Sequence, residues 1–286
     1  MKKIFFVFFV PLIAFGQAES LNVLFIGNSY IASNNLPSLI SSIATSMGDQ
    51  INFETSLIGG ATLQDHTNNQ NTIDLITMGN WDYVVLQEQS QYPSFPLWQV
   101  EQDVFPYAST LSQLTHDNNE CGDVLFFMTW GRENGDQVNC DNWPPICTYE
   151  GMDDLLRERY MIMANDNNAQ VSPVGAVWRF IRDTKYDMDL YSPDGSHPSV
   201  LGSYVAAVSF YTALFRKDPI NIPWSAELNI SEYNFSLINE IVNAIIYDDF
   251  GQWNIHSNDI DNDGVCNNID NCPENYNPEQ ADIDNN

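Results

Sequence analysis

Apolar residues recur along the chain in two alternating patterns. The first is a short run, Leu21, Val23, Leu24, Phe25 and Ile26, which breaks at Gly27-Asn28 and delivers Ser29. Its length and its β-branched or aromatic content predict a buried strand, and Gly-Asn predicts a turn. Downstream, Leu36, Leu39, Ile40, Ile43, Ala44 and Met47 recur at helical spacing, with Asn34 or Asn35 available as the cap. Ser29 therefore sits in a strand-to-helix turn.

The same alternation continues. Residues 51–57 (INFETSL) alternate like a half-buried strand and end at Gly59-Gly60-Ala61-Thr62, where glycines let backbone approach a ligand closely. Residues 82–86 (DYVVL) form a third strand, running into Gln87-Glu88-Gln89-Ser90-Gln91. Residues 123–129 (DVLFFMT) form a fourth, ending at Trp130-Gly131-Arg132, and residues 171–177 (VSPVGAV) form the fifth candidate, with Pro173 suggesting an edge or a strand start. Helical patterns lie between and after them, over about 100–114, 152–164, 199–215 and 235–247. Strands alternating with helices predict an α/β fold, a mostly parallel five-stranded sheet covered on both faces. Residues 131–150 lack periodicity and read as a long loop over the strand ends, a candidate substrate wall. The globular part is expected to close near Trp253.

Composition sharpens this picture. An apolar fraction of 44% in 286 residues supports a substantial core. Residues 1–16 join two lysines to an apolar stretch with a small-residue end, and read as a secretory signal peptide cleaved near Gln17. No cysteine follows that stretch, so a lipoprotein anchor is not expected. Nor does any other run approach the roughly 20 apolar residues of a membrane span. The mature protein is expected to be exported, either secreted, periplasmic or at the cell surface. With Lys2 and Lys3 gone, the formal charge of −28 becomes about −30, which argues against nucleic acid and anionic membranes as partners. Five cysteines in an exported chain suggest disulfides. Cys140 can pair with Cys147 across a Trp-Pro-Pro loop, and Cys266 with Cys272, leaving Cys121 over.

Ser29 is a candidate nucleophile because carboxyl ends of strands in α/β sheets are where ligands bind. Its base must be one of four histidines. His66 directly follows an aspartate, and adjacent side chains seldom aim at one target; His116 lies in a polar run and His256 borders the tail. His197 stands in Asp194-Gly-Ser-His197, just before a helix, where a carboxylate can fix the imidazole tautomer while the other ring nitrogen takes a proton.

Together these residues resemble the SGNH/GDSL hydrolase superfamily over about 21–215. The family's first block, Gly-Asp-Ser in most members, is matched by Gly27-Asn28-Ser29, its second-block glycine by Gly60, and its last block, Asp-x-x-His, by Asp194 and His197. The resemblance implies a three-layer, flavodoxin-like α/β/α sandwich and acyl transfer by Ser29, His197 and Asp194. The backbone N–H groups of Ser29 and Gly60 would hold the oxyanion. The family's third block, usually Gly-x-Asn-Asp, is absent. A glutamine amide offers the same donor on a longer arm, so Gln89 is assigned to it, with Gln87 and Gln91 as alternatives. The chemistry needs no metal.

Asn28, Gln87 and Trp130 are expected to border the substrate, while Trp98, Trp143 and Tyr92 suit either sugar stacking or core packing. With no long apolar lid segment, the expected substrate is a small-molecule or polysaccharide ester, with acetylated carbohydrate favoured over lipid. A lipase or thioesterase using the same triad, or a non-catalytic carbohydrate-binding module, is the alternative.

From residue 259 the chain changes character, with eight acidic residues and no basic one. Asp259, Asp261, Asp263, Gly264 and Asp270 fall at positions 1, 3, 5, 6 and 12 of a calcium loop. Asp282 and Asp284 restart that pattern. Residues 254–286 look like a thrombospondin type 3 repeat, matched in Asp270-Asn-Cys-Pro273 and Asn277-Pro-Glu-Gln280. The resemblance implies a calcium-stiffened stalk, with further repeats or a sorting domain expected beyond Asn286.

Overall fold

The structure, a computed structural model, describes residues 18–119, 121–184, 186–257, 259–260, 265–266 and 270–280. The expected signal peptide and the expected ligands Asp261, Asp263, Asp282 and Asp284 lie outside the described residues.

Five parallel strands make one sheet in the order β2-β1-β3-β4-β5. They are β1 (Ser20–Gly27), β2 (Gln50–Leu57), β3 (Tyr83–Leu86), β4 (Asp123–Phe127) and β5 (Gln170–Ser172). The apolar run Val23 to Ile26 and all of β3 are buried, as strands covered on both faces must be. α2 (Leu36–Ser46), α8 (Val174–Asp183), α9 (Val200–Phe215) and α10 (Glu232–Ile245) pack together on one face. α3 (Leu63–Thr67), α4 (Gln70–Thr77), α6 (Phe105–Asn118) and α7 (Tyr149–Asp166) pack on the other. The three-layer α/β/α expectation holds.

Several boundaries differ from the sequence reading. The fifth strand ends at Ser172, and Val174–Asp183 is helical instead of extended. Pro173 ends the ladder because it has no N–H to donate. Val174, Val177, Trp178 and Ile181, all buried, then repeat at helical spacing. The helix expected over 100–114 is two, α5 (Leu97–Asp103) and α6, broken at Val104, whose ψ of −63° accompanies a φ of −124° just ahead of Pro106. Asn35 does stand at the N-cap of α2, but in the left-handed region and without a side-chain cap bond.

The cysteine pairing is also corrected in part. Cys140–Cys147 forms as expected, but Cys266 bonds Cys121, and Cys272 is a free thiol. The reason is tertiary: the segment after Ile255 lies along the amino ends of β4 and β5, where the His256 N–H donates to Gln170 Oε1. That brings Cys266 to Cys121, two residues before β4.

Candidate active site

Because every strand is parallel, the residues following β1, β2, β3 and β4 gather at one edge of the sheet. Ser29 opens a four-residue helix, α1 (Ser29–Ala32), immediately after β1, and Asn28 caps it by accepting the Tyr30 N–H at Oδ1, 3.2 Å. The sequence places the helix start near Asn35; the short α1 turn precedes it.

From 168 positions away, His197 brings Nε2 to 2.8 Å from Ser29 Oγ. Its Nδ1 lies 2.5 Å from Asp194 Oδ2. With Nδ1–H donating to the carboxylate, Nε2 is the lone-pair nitrogen and accepts from the serine hydroxyl. Asp194 Oδ1 also accepts the N–H groups of Ser196 and His197, at 2.9 and 3.0 Å, in a turn where Gly195 takes a φ of +66°. Partial burial pushes the Asp194 carboxyl up, but these three hydrogen bonds outweigh it and hold it below the ordinary carboxylate value.

Tyr30 and Trp130 buttress His197 and its turn. The Tyr30 ring meets the imidazole edge-on at 5.3 Å and its hydroxyl lies 2.8 Å from Ser196 Oγ. Trp130 Nε1 donates to Ser196 O at 3.1 Å. The Trp130 ring is fully buried between Tyr30 and Trp178, with centroids 5.0 and 3.8 Å away. It lies in the core and not at the exposed edge where the sequence reading puts it: stacking partners remote in sequence draw the ring inward. Trp143 is half-buried, with Nε1 donating to Ser94 O, whereas Trp98 is 67% exposed.

Asn28 and Gln87 are corrected likewise. Asn28 is buried, and its Nδ2 donates to Ala61 O at 3.0 Å. Gln87, also buried, accepts the Asn28 N–H at Oε1, 2.9 Å, while its amide nitrogen donates to Glu88 O. Both side chains are engaged in hydrogen bonds inside the fold, not presented at the exposed edge as expected. Gly27 is required here, since a Cβ on it would stand 2.6 Å from Gln87 Oε1.

Gly60 has a φ of +71° in the loop after β2, a conformation that favours glycine. Of the alternatives for the third donor, Gln91 gives its amide to Asp136 Oδ2 at 2.6 Å. Gln89 is half-exposed, its Nε2 making a longer bond of 3.2 Å to Gln91 Oε1. Gln89 is thus the glutamine whose amide is least committed.

Sequence reasoning missed two carboxylates at this edge. Asp136 is fully buried and accepts from Gln91 Nε2, Asn139 Nδ2, the Val138 N–H and Arg132 Nη1. Burial raises it, and those four donors more than offset the rise. Glu88 is also fully buried, accepting from the N–H groups of Leu63 and Gln89. A carboxylate followed by aromatics and prolines in a loop gives no sign of its depth; for Glu88, its position directly after a buried strand was the available signal. His66 is buried too, between Gly27 O and Thr72 Oγ1, each at 3.0 Å, as its setting aside as a base anticipates. A cavity of about 550 Å³ lined by Ser112, His116, Asp123 and His256 lies at the opposite edge, beside Cys121–Cys266.

No protein-family model matches the sequence, and no curated relative does. Among solved structures, a DUF4886 family protein from Bacteroides uniformis superposes with a TM-score of 0.65 and 18% identity, over 80% of this chain and 96% of its own. A protein from Slackia heliotrinireducens, assigned to the SGNH hydrolases, superposes with a TM-score of 0.55 and 23% identity, over 67% and 97%. The fold is that of the SGNH hydrolases. Within it, Ser29, Asp194 and His197 stand together at the carboxyl edge, whereas Trp130 belongs to the core.

Proposed function

We propose that the chain is an exported serine esterase acting on short-chain acyl esters of carbohydrates, acetyl esters above all. The observation that supports this most is the contact of 2.8 Å between His197 Nε2 and Ser29 Oγ, backed by Asp194 on the other ring nitrogen. Ser29 Oγ attacks the ester carbonyl carbon as its proton passes to His197 Nε2. The tetrahedral oxyanion is held by the Ser29 and Gly60 N–H groups and the Gln89 amide, each such donor contributing roughly 3 kcal/mol to lowering the barrier. Collapse breaks the bond to the alkoxide, which takes the proton from His197. Water, deprotonated by the same nitrogen, then attacks the acyl-enzyme and releases the acid.

The openness of the edge supports this substrate class. The side chains of His197 and Asp194 are 36% and 50% exposed, which suits a bulky polar alcohol better than an enclosed acyl chain. Two disulfides suit the oxidising side of a membrane, and no described helix is long and apolar enough to cross one. The test is a fluorophosphonate probe together with acetate release from a panel of acetylated polysaccharides. Labelling of the wild type but not of Ser29→Ala, with acetate release, supports the reading; no labelling of either overturns it. Preference for long-chain over short-chain p-nitrophenyl esters would move the assignment to a lipase or thioesterase.

For the tail we propose calcium binding beginning at Asp259. Asp270 is nearly buried, and its Oδ2 has no hydrogen-bond partner among the described residues, as suits an oxygen facing a cation. Asp259 and Asp270 are the expected ligands within the described residues. Unchanged circular dichroism and protease sensitivity on adding calcium would overturn this.

A further inference from the structure

Glu88 is a carboxyl group that the acyl-transfer chemistry does not use, yet it lies fully buried where two loops of the site meet. Its Oε1 accepts the Gln89 N–H at 2.6 Å, and both of its oxygens accept the Leu63 N–H at 3.2 Å. Leu63 follows Gly60 by three residues, at the start of α3, and Gln89 carries the amide assigned to the oxyanion. Asn28, beside Ser29, joins the same assembly through Ala61 O and Gln87 Oε1. One side chain thus fastens the loop after β2 to the loop after β3, and nothing else about the position calls for an acid. A leucine would fill the volume without leaving a carboxyl inside the core.

We infer that Glu88 is a positioning residue for the oxyanion site, holding the Gly60–Leu63 segment and Gln89 in the relative placement that the developing negative charge requires. This rests on the serine-esterase reading above. The carboxyl accepts two peptide N–H groups, one from each loop, and so fixes the backbone from which the neighbouring donors, the Gly60 N–H and the Gln89 amide, are presented. Displacement of such donors by an ångström is enough to cost large factors in rate.

The protonation state of Glu88 enters because its carboxyl is bonded directly to the two loops that carry the assigned oxyanion donors. Burial raises it to about 8, against the lowering effect of the Gln89 and Leu63 N–H groups. The titratable groups that face it are Asp65 on α3, which raises it further, and Tyr160 on α7, itself raised by burial. Neutral Glu88 is compatible with charge developing on the substrate oxygen; ionised Glu88 adds a negative charge to the loops that hold it. The kcat profile should therefore fall as pH rises through about 8.

The experiment measures kcat and KM for p-nitrophenyl acetate from pH 6 to 9.5 in wild type, Glu88→Gln and Glu88→Ala, with fluorophosphonate labelling as a second readout. Glu88→Gln keeps the volume and an acceptor oxygen. We expect it to retain kcat within about 3-fold at pH 7 and to lose the alkaline decline. Glu88→Ala should lower kcat by about 10- to 100-fold with KM within about 3-fold. If Glu88→Ala does not fold, the profile of Glu88→Gln decides alone. An alkaline decline unchanged in Glu88→Gln, or a folded Glu88→Ala with wild-type kcat, overturns the role while leaving the esterase intact. A wild type that neither labels nor turns over removes the esterase reading and this role with it.

Discussion

Gln87 lies under Asn28 with its side-chain oxygen 2.9 Å from the Asn28 amide nitrogen, so the peptide that introduces Ser29 hangs from the end of the neighbouring strand. Both residues are buried, and the N–H has no water to turn to. Replacing Gln87 by Leu leaves that donor unpaired and should cost about 1–3 kcal/mol of stability. Urea denaturation gives the stability change. The same variant should lose kcat more than it loses stability would suggest, because the unpaired peptide is the one that aims Ser29. Gly27→Ala should behave similarly, since its Cβ would stand 2.6 Å from Gln87 Oε1.

Asp194→Asn tests whether the carboxylate orients His197 for the proposed chemistry. An amide can donate to the ring nitrogen and stabilise the wrong imidazole tautomer, which in enzymes with this constellation lowers kcat by as much as about 10⁴-fold. Here the loss should be smaller, about 10²- to 10³-fold, because the carboxylate is half exposed and water can replace part of it. Steady-state kinetics with p-nitrophenyl acetate should show the fall in kcat with little change in KM. A variant at wild-type rate would remove Asp194 from the mechanism.

His66 makes stability depend on pH. Burial lowers it below its ordinary value of 6.5, against the opposing effects of its bond to Gly27 O and of Asp65. The unfolded chain therefore binds the proton more readily than the fold does, and the contribution is fully present above about pH 6.5 and is lost as the pH falls below it. Wild-type stability should decline between pH 7 and 5, and His66→Gln should flatten that part of the curve while lowering stability throughout. Thermal unfolding across that range is the measurement.

Asp136 ties the loop between β4 and α7 to the loop after β3. Its carboxyl is held low by Asn139, Gln91, Arg132 and the Val138 N–H despite burial. That contribution is present above the ordinary carboxylate value and lost as pH falls through the depressed one. Asp136→Ala orphans four donors, and a cost of about 3–5 kcal/mol is expected, as for breaking a buried charge network. Limited proteolysis should then cut within 131–150 faster than in wild type.

The Cys121–Cys266 bond joins residues 145 positions apart. In the chain-entropy account a closed loop of that length stabilises by up to about 5 kcal/mol. Cys121→Ser should move the denaturant midpoint down accordingly while leaving kcat for p-nitrophenyl acetate within about 2-fold, since Cys121 lies at the amino edge of the sheet and Ser29 at the carboxyl edge.

What was readable in advance follows a physical line. Strands such as Val23–Ile26 and Val84–Leu86 are buried on both faces and announce themselves as apolar runs, and Asp194 with His197 stands within one turn, so local sequence holds the whole relationship. Composition does not say which way the Trp130 ring turns; Tyr30 and Trp178, far along the chain, decide that. Proximity in sequence pairs Cys266 with Cys272, whereas the docking of residues 254–256 against β5 brings Cys266 to Cys121. The run from Val174 reads as extended with Pro173 at an edge or a strand start, whereas Pro173 ends the strand and the apolar residues beyond it repeat every three or four positions. Glu88 and Asp136 escaped notice since a carboxylate's depth depends on the layers above it.

The Cys121–Cys266 crosslink also divides the polypeptide topologically. Residues 121–266 become a closed ring that contains Asp194 and His197, while Ser29, Gly60 and Gln89 belong to the linear arm ahead of it. One peptide-bond scission anywhere inside the ring, including the long segment before α7, opens it without releasing a fragment. Ser29 and His197 then stay parts of one covalent molecule, and parting the two pieces of a chain cut once there requires a reductant.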